Sequence, residues 1–231
     1  DGPVWHVEED GDDITGIGSY EDPFGSIQAG LNFANDNQTV NVNNGIYYEN
    51  VVWPQYTKKM GVQLIGTHMY YTFIDGGGNG PVMHVEWVDS TSYMSGFRLR
   101  NGDATQGSAL YVSSSEMPID NIVMEWNVGS SAMWIEGAAL GGSTPMGSHD
   151  SKWSNHYNNF VIRDNTVDNS LLVFNAFVHT FLSNSQIHDN ISNFSGQISS
   201  NDYAALTLNN CIISNNVATY SSAINYHRGQ Y

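Results

Sequence analysis

The stretch Ser108-Ala109-Leu110-Tyr111-Val112 decides the fold, because similar stretches recur along the chain. One further copy reads Ser131-Ala132-Met133-Trp134-Ile135, and the next reads Ser170-Leu171-Leu172-Val173-Phe174. The copies are 27, 23, 39, 25 and 27 residues apart, since they begin at Pro81, Ser108, Ser131, Ser170, Ser195 and Ser222. A repeat of this length is typical of solenoids, in which each repeat forms one coil.

A second series of similar stretches interleaves with the first. Its members are 25, 38, 25 and 26 residues apart, since they begin at Gly96, Asn121, Asn159, Asn184 and Asn210. Both series contain one long interval, so they share a period and an insertion of 13 residues (38 minus 25). Apolar residues alternate within the stretches, as in Phe97-x-Leu99 and Phe160-x-Ile162, which predicts strands with one inward face.

Together the two series predict an all-β chain that folds as a single-stranded, right-handed parallel β-helix with about three strands per coil. One coil cannot bury its inward face alone, whereas stacked coils bury a continuous core. The side chains predicted to stack inside this core are Leu110, Met133, Leu172, Met124, Ile162, Ile187 and Ile213.

Asparagine recurs at two places in the repeat. The first column starts the stretches of the second series and comprises Asn121, Asn159, Asn184 and Asn210. The second column lies three residues beyond the last residue of each of these stretches and comprises Asn127, Asn165, Asn190 and Asn216. Asparagine tolerates the left-handed backbone of a tight bend. Stacked amides can also bond to one another from coil to coil. We therefore expect a structural asparagine ladder in at least one of the two columns.

We interpret residues 1–231 as one β-helix domain. Residues 1–60 form an N-terminal cap and first coil, in which Ser26–Ala34 reads as a short amphipathic helix that covers the end of the core. Residues 61–231 form the repeating coils, with an inserted loop near 137–155. Because the first series is still in progress at Ser222–Tyr226, we expect the solenoid to continue beyond residue 231 in the full protein. Stacking of copies end to end, or a frayed last coil, are the alternatives.

The charge is strongly acidic, with 23 Asp and Glu against 7 Lys and Arg, for a net charge of −16. Nucleic acids and anionic membrane surfaces need basic patches, so neither is an expected partner. No run of 18 apolar residues occurs, so we expect no membrane insertion. Cys211 is the single cysteine, and no disulfide can form within the chain.

Four stretches carry a resemblance to a known family. They are Asp22-Pro23-Phe24-Gly25-Ser26-Ile27-Gln28-Ala29-Gly30, the segment Thr39–Asn50 with its Asn43-Asn44-Gly45 turn, Ile74-Asp75-Gly76-Gly77-Gly78-Asn79-Gly80, and the stretch from Ser95-Gly96-Phe97 to Asn101-Gly102. They resemble the cap and first coils of bacterial secreted parallel β-helix repeat proteins, the pectin-lyase-like superfamily in its broad sense. The resemblance implies a secreted or cell-surface location. It implies no single activity, because such proteins include lyases, hydrolases, epimerases and adhesins.

One outward column of the predicted solenoid carries charges. The residues after the inward positions of the second series, with their neighbours, form a candidate ligand-binding strip of Arg98, Arg100, Glu125, Arg163, Asp164, His188 and Asp189. Arginines of such a strip could neutralise a uronate, as a polysaccharide lyase requires. The alternative is a solvated face whose opposite charges stack between coils.

Calcium is the only cofactor that the sequence suggests. Asp10, Asp12 and Asp13 supply hard oxygen ligands of the kind that Ca²⁺ prefers, although Ile14 breaks the EF-hand pattern. An acidic surface loop is the alternative.

The sequence thus favours a non-catalytic extracellular module, which serves as a stalk, an adhesin or a carbohydrate-binding surface. Its expected partner is an extracellular polysaccharide or a cell-surface glycan, with end-to-end self-association into a dimer or filament as a further expectation. The alternative is a polysaccharide-active enzyme, either a lyase or a glycoside hydrolase.

Overall fold

The computed structural model describes residues 3–55, 59–137, 153–194, 196–201, 204–219 and 224–226. These residues form a parallel β-solenoid of about six turns with one short helix. The predicted fold, an all-β right-handed parallel β-helix with a short N-terminal helix, is confirmed. All strand pairs between successive coils are parallel.

The helix and strands follow in chain order. The described elements are β1 (Val4–Val7), α1 (Ile27–Phe33), β2 (Thr39–Val42), β3 (Gly45–Tyr48), β4 (Val51–Val52), β5 (Gln63–Gly66), β6 (Thr72–Asp75), β7 (Met83–Glu86), β8 (Tyr93–Arg100), β9 (Asp103–Ala104), β10 (Leu110–Ser113), β11 (Ile119–Glu125), β12 (Val128–Gly129), β13 (Met133–Glu136), β14 (Trp153–Arg163), β15 (Thr166–Val167), β16 (Leu172–Asn175), β17 (Val178–Ser183), β18 (Gln186–His188), β19 (Ile191–Ser192), β20 (Ile198–Ser200), β21 (Ala205–Asn209), β22 (Ile212–Ser214), β23 (Val217–Ala218) and β24 (Ile224–Tyr226).

Three long faces run along the solenoid. The first follows the order β1-β2-β5-β8-β11-β14-β17-β21, and in the middle coils its strands bend and continue into the second face. The second face comprises β3, β6, the later halves of β8, β11 and β14, and then β18 and β22. The third face follows the order β4-β7-β10-β13-β16-β20-β24. Short strands link the second face to the third, in the pairs β9-β12 and β15-β19-β23.

The bend between the first and second faces is the position of the first asparagine column. Its residues have positive φ throughout: Gly96 (91°), Asn121 (55°), Asn159 (57°), Asn184 (52°) and Asn210 (53°). Glycine and asparagine are the residues that adopt this left-handed backbone at least cost. The column also carries amide bonds between coils, since Asn159 Nδ2 donates to Asn121 Oδ1 at 2.7 Å and Asn210 Nδ2 donates to Asn184 Oδ1 at 2.7 Å.

The second asparagine column lies inside the solenoid as an unbroken ladder. The ladder runs in chain order through Asn127, Asn165, Asn190 and Asn216. The side-chain oxygen of each later asparagine accepts from the backbone N–H and the side-chain amide of the asparagine before it in the ladder, at 2.9–3.1 Å. Asn127, Asn165 and Asn190 are buried. Their amides also donate to backbone carbonyls, so polar groups that would otherwise be unpaired at this corner are satisfied.

The core consists of apolar columns whose register is the predicted one. Leu110 pairs with Met133 and Met133 with Leu172, and all three are buried. On the second face the column runs Met124, Ile162, Ile187 and Ile213. Ile213 is only partly buried, since β22 has, among the described residues, a strand partner on one side only.

The strand pairing in the structure corrects the predicted alignment of one copy in the first series. Leu172 pairs with Ile198, and Ile198 pairs with Ile224. The copy therefore begins at position 196 and not at Ser195, so that the last two spacings are both 26 residues. The shift places Ile198 in the core, where it is fully buried.

A matched pair of isoleucine substitutions tests this register. Ile187 is fully buried, so Ile187→Ala should lower the free energy of unfolding by about 2–5 kcal/mol through lost burial and a cavity. Ile212→Ala is the control, because Ile212 lies one coil further on and is 61% exposed. Chemical denaturation of both variants is the measurement, and equal midpoints would show that Ile187 does not face the core.

Helix α1 covers the N-terminal end of the core. Ser26 Oγ accepts from Ala29 N at 3.1 Å, and the Glu49 carboxylate accepts from Ile27 N at 2.7 Å and Gln28 N at 2.9 Å. A carboxylate at this end of a helix satisfies free N–H groups and faces the positive end of the dipole. Burial raises the pKa of Glu49 despite these bonds. The helix packs against β1, β2 and β4, as the sequence predicted for a cap.

The inserted loop is shorter than predicted at its C-terminal end. Residues 153–155 form the beginning of β14, where Trp153 pairs with Val178 and Asn155 pairs with Thr180. The remainder of the predicted insertion, residues 138–152, lies outside the described residues. In the chain, the predicted insertion follows β13, which ends at Glu136 on the third face.

Candidate functional site

The predicted charged strip is a true column on the second face. Asp75 pairs with Arg100, Arg100 with Glu125, Glu125 with Arg163, and Arg163 with His188. Arg98 lies two residues before Arg100 on β8, so both side chains are on the outward side of the strand. The strip therefore lies where the sequence placed it, on the outward side of the solenoid.

The expectation that this strip is exposed is wrong for Glu125, whose side chain is completely buried. Its carboxylate accepts from Arg98 Nε at 2.6 Å and from Arg163 Nη2 at 2.9 Å. Arg100 Nε donates to Asp75 Oδ2 at 2.8 Å, and Asp75 is buried as well. The charges lie close to one another, and neighbouring side chains exclude water from them.

Aromatic rings and a methionine provide this cover. The guanidinium of Arg98 lies 5.0 Å from the ring centre of Phe73, and that of Arg100 lies 4.6 Å from the same ring. Both guanidinium groups also lie within 6 Å of the Trp126 ring, a separation typical of cation–π contacts.

Met69 covers the neighbouring part of the second face. It packs with Val123 and Val161, two outward residues that are nonetheless buried. Asn159 Nδ2 donates to Met69 Sδ at 3.7 Å. The segment between β5 and β6 thus reaches along the axis to coils that are remote in sequence.

The outer members of the strip lie at the corner beyond the second face. Asp164 and Asp189 have φ of 55° and 56°, and they occupy the corner turn that follows the strand column. Asp164 lies 3.8 Å from Arg163, and His188 Nδ1 lies 2.6 Å from Asp189 Oδ2.

The ion pairs decide what this strip can do. Each of its three arginines contacts a carboxylate of the protein, so the strip offers no unpaired arginine to a uronate among the described residues. A lyase needs such a cation, or a metal ion, to neutralise the substrate carboxylate. Ligand binding by this strip stays a prediction, and its contacts are those of a structural cluster.

The three aspartates that the sequence suggested for calcium do not converge. Asp12 accepts from Ile14 N, Thr15 N and Thr15 Oγ1, and these bonds lower its pKa. Asp13 Oδ1 accepts from Gly25 N and Ser26 N at 2.8 and 2.9 Å. Asp10 is exposed. In the described part of the chain, no three His, Cys, Asp or Glu side chains come together as a metal site would require.

The third face carries a cluster that the sequence analysis did not single out. Its outward residues form two adjacent columns on β7, β10 and β13, because successive side chains alternate in direction. We call the first column, His84, Tyr111 and Trp134, the aromatic column. The second column consists of Glu86, Ser113 and Glu136. All of these side chains except that of Ser113 are partly exposed.

Hydrogen bonds hold the aromatic column in place. Tyr111 Oη donates to Glu136 Oε1 at 2.6 Å, and Trp134 Nε1 donates to Glu136 Oε2 at 2.8 Å. The rings of His84 and Tyr111 lie 4.8 Å apart. Burial, with the Glu136 carboxylate, raises the pKa of Tyr111 to about 12, so its hydroxyl remains protonated and donating at neutral pH. The rings are therefore oriented before any ligand arrives.

The sequence did contain a signal for this column. The three aromatic residues hold the same place in successive copies of the first series, one position after the inward residues Met83, Leu110 and Met133. Strand alternation alone directs them outward, toward solvent. Aromatic side chains that recur at an outward position make this column a candidate contact surface.

No family model and no curated protein matches the sequence. Among solved structures, pectin methylesterase PemA from Erwinia chrysanthemi aligns over 87% of this chain and 80% of its own, with 8% identity and a TM-score of 0.42. A pectin methylesterase from carrot aligns over 99% of this chain and 89% of its own, with 12% identity and a TM-score of 0.43. Such identities carry no statement about activity.

Across the described ranges, no helix has both the length and the apolar character needed to cross a bilayer.

Proposed function

We propose that this protein is an extracellular, non-catalytic module that binds an extended polysaccharide along the axis of its solenoid. The observation that supports this proposal is the aromatic column, whose three side chains lie in register on successive coils of the third face. The apolar faces of sugar rings stack on aromatic rings, and the hydroxyl groups around their edges bond to nearby carboxylates and phenols.

The spacing of the column suits a chain ligand. Adjacent strands lie about 4.8 Å apart, so the solenoid presents one aromatic side chain at each step of that length. This step is close to the length of one sugar unit in an extended chain. A polysaccharide lying parallel to the axis could therefore contact His84, Tyr111 and Trp134 with consecutive units.

The charges of this protein support a non-catalytic role better than they support lyase activity. The arginines of the second face are engaged by Asp75 and Glu125. The net charge of −16 also repels polyanionic substrates. A polysaccharide-active enzyme, whether lyase or hydrolase, stays a prediction without a favouring observation, as does end-to-end self-association.

Replacing one tryptophan tests the proposal. Trp134→Ala should weaken binding of the recognised polysaccharide at least tenfold, which corresponds to about 1.4 kcal/mol, because a partly buried aromatic side chain is a typical anchor of a binding surface. Affinity electrophoresis in gels that contain the polysaccharide is the measurement. Trp126→Ala is the matched control, since Trp126 is 50% exposed on the second face. Equal retardation of the two variants would refute a site on the third face.

A further inference from the structure

We propose that the polysaccharide bound by the third face carries protonated amines, as a polymer of amino sugars does. This inference rests on the proposed function and names its substrate class. It follows from the second column of the same face, in which Glu86 and Glu136 flank Ser113 beside the aromatic column. The face thus carries a ring on each of three consecutive coils and a carboxylate on the first and third of them.

Among the residues that the structure describes, neither glutamate has a cationic partner. Glu86 Oε2 accepts from Gln55 Nε2 at 3.2 Å, and Glu136 accepts from the neutral groups of Tyr111 and Trp134. No ion pair joins either glutamate to a described Lys or Arg. The second face is the opposite case, because the buried Glu125 has two arginine partners.

Uncompensated carboxylates beside aromatic rings favour a cationic ligand. An ammonium group gains from a carboxylate and from the face of a Tyr or Trp ring, most strongly where both are partly withdrawn from water. Both glutamates are partly exposed, so a ligand can reach them. The overall charge of −16 would further raise the local concentration of a polycation.

The spacing restricts the ligand to a chain with repeated amines. Glu86 and Glu136 lie on strands two steps apart, about 10 Å along the axis. Amines on the sugar units of one extended chain could meet both carboxylates while the rings stack on His84, Tyr111 and Trp134. A single small amine could meet only one of them.

The test compares glucosamine oligomers of equal length with free amines and with N-acetylated amines, at a pH at which the free amines are protonated. Calorimetry should show that the free-amine oligomer binds at least tenfold more tightly to the natural chain, with an affinity that falls as salt rises. Glu86→Gln combined with Glu136→Gln should remove this preference, and Glu86→Gln alone, which leaves the bonds of Tyr111 and Trp134 to Glu136 intact, should weaken the preference without weakening the binding of the acetylated oligomer. Glu21→Gln, at an exposed position away from the face, should change neither.

Each other outcome has a distinct meaning. Equal binding of the two oligomers, with loss of both in Trp134→Ala, would overturn the amine inference and leave the proposed function standing. Tight binding of an oligolysine of matched charge that is insensitive to Trp134→Ala would show a merely electrostatic surface and overturn the inference. Absence of binding to either oligomer overturns it too, and binding to another polysaccharide would then decide whether the proposed function survives. An unchanged thermal midpoint in the double variant confirms that its fold is intact.

Discussion

Asn165→Ala is expected to lower the free energy of unfolding by more than about 3 kcal/mol, because several buried polar groups lose their partner at once. The Asn165 amide donates to the carbonyl oxygens of Met124 and Arg163 and to Asn190 Oδ1, at 2.9–3.0 Å. Its oxygen accepts from the backbone N–H and the amide of Asn127. Water cannot replace these bonds readily, since Asn165 is only 1% exposed.

Equilibrium denaturation in urea would measure this effect. Asn216→Ala serves as the matched control, because Asn216 ends the described ladder and is only partly buried. We expect its loss to be less than half that of Asn165→Ala. If both variants unfold at the midpoint of the natural chain, the ladder contributes only turn geometry and its amide bonds carry no net stability.

Glu125→Gln is expected to destabilise the chain by about 3 kcal/mol, because it leaves two arginines beside a neutral group in a site withdrawn from water. The carboxylate is completely buried between Arg98 and Arg163, whose side chains are 14% and 33% exposed. Glutamine retains the shape but accepts with one oxygen only. The loss is therefore electrostatic, with little change in packing.

Asp164→Asn provides the comparison for this substitution. Asp164 is 44% exposed and lies 3.8 Å from Arg163, so removal of its charge should change the stability by less than about 0.5 kcal/mol. Thermal and urea denaturation of both variants would settle the role of the strip. If Glu125→Gln retained full stability, the second face could not be the structural cluster described here, and a ligand-binding role would regain support.

The sequence predicted most of the solenoid because its determinants are local and repeated. Alternation within Phe97-x-Leu99 sets which side chains enter the core, and the period sets which residues stack. The asparagines at the bend could also be predicted, because backbone sterics alone favour glycine and asparagine where φ is positive, as at Gly96 and Asn121.

The sequence could not predict which outward residues are covered. Met69 packs on Val123 and Val161, although more than fifty residues separate it from each of them in the chain. No periodicity encodes such a contact, because the segment between β5 and β6 leaves the repeat to make it. Glu125 is likewise buried on the outward side of its strand, and the three arginines of the predicted strip form ion pairs with Glu125 and Asp75.

The aromatic column illustrates the opposite case. His84, Tyr111 and Trp134 occupy the same outward position in three successive copies, but their side chains differ in chemistry, so a pattern of repeated charges does not include them. Only the structure shows that Glu136 fixes the last two rings through their polar atoms.

Incubation of the purified chain with a panel of extracellular polysaccharides, scored for both retention and released sugars, tests the central claim most directly. The proposed function predicts retention of the chain by at least one polysaccharide, dependence of that retention on Trp134, and no release of shorter products. Release of sugars, or retention that is unaffected by Trp134→Ala, would contradict it.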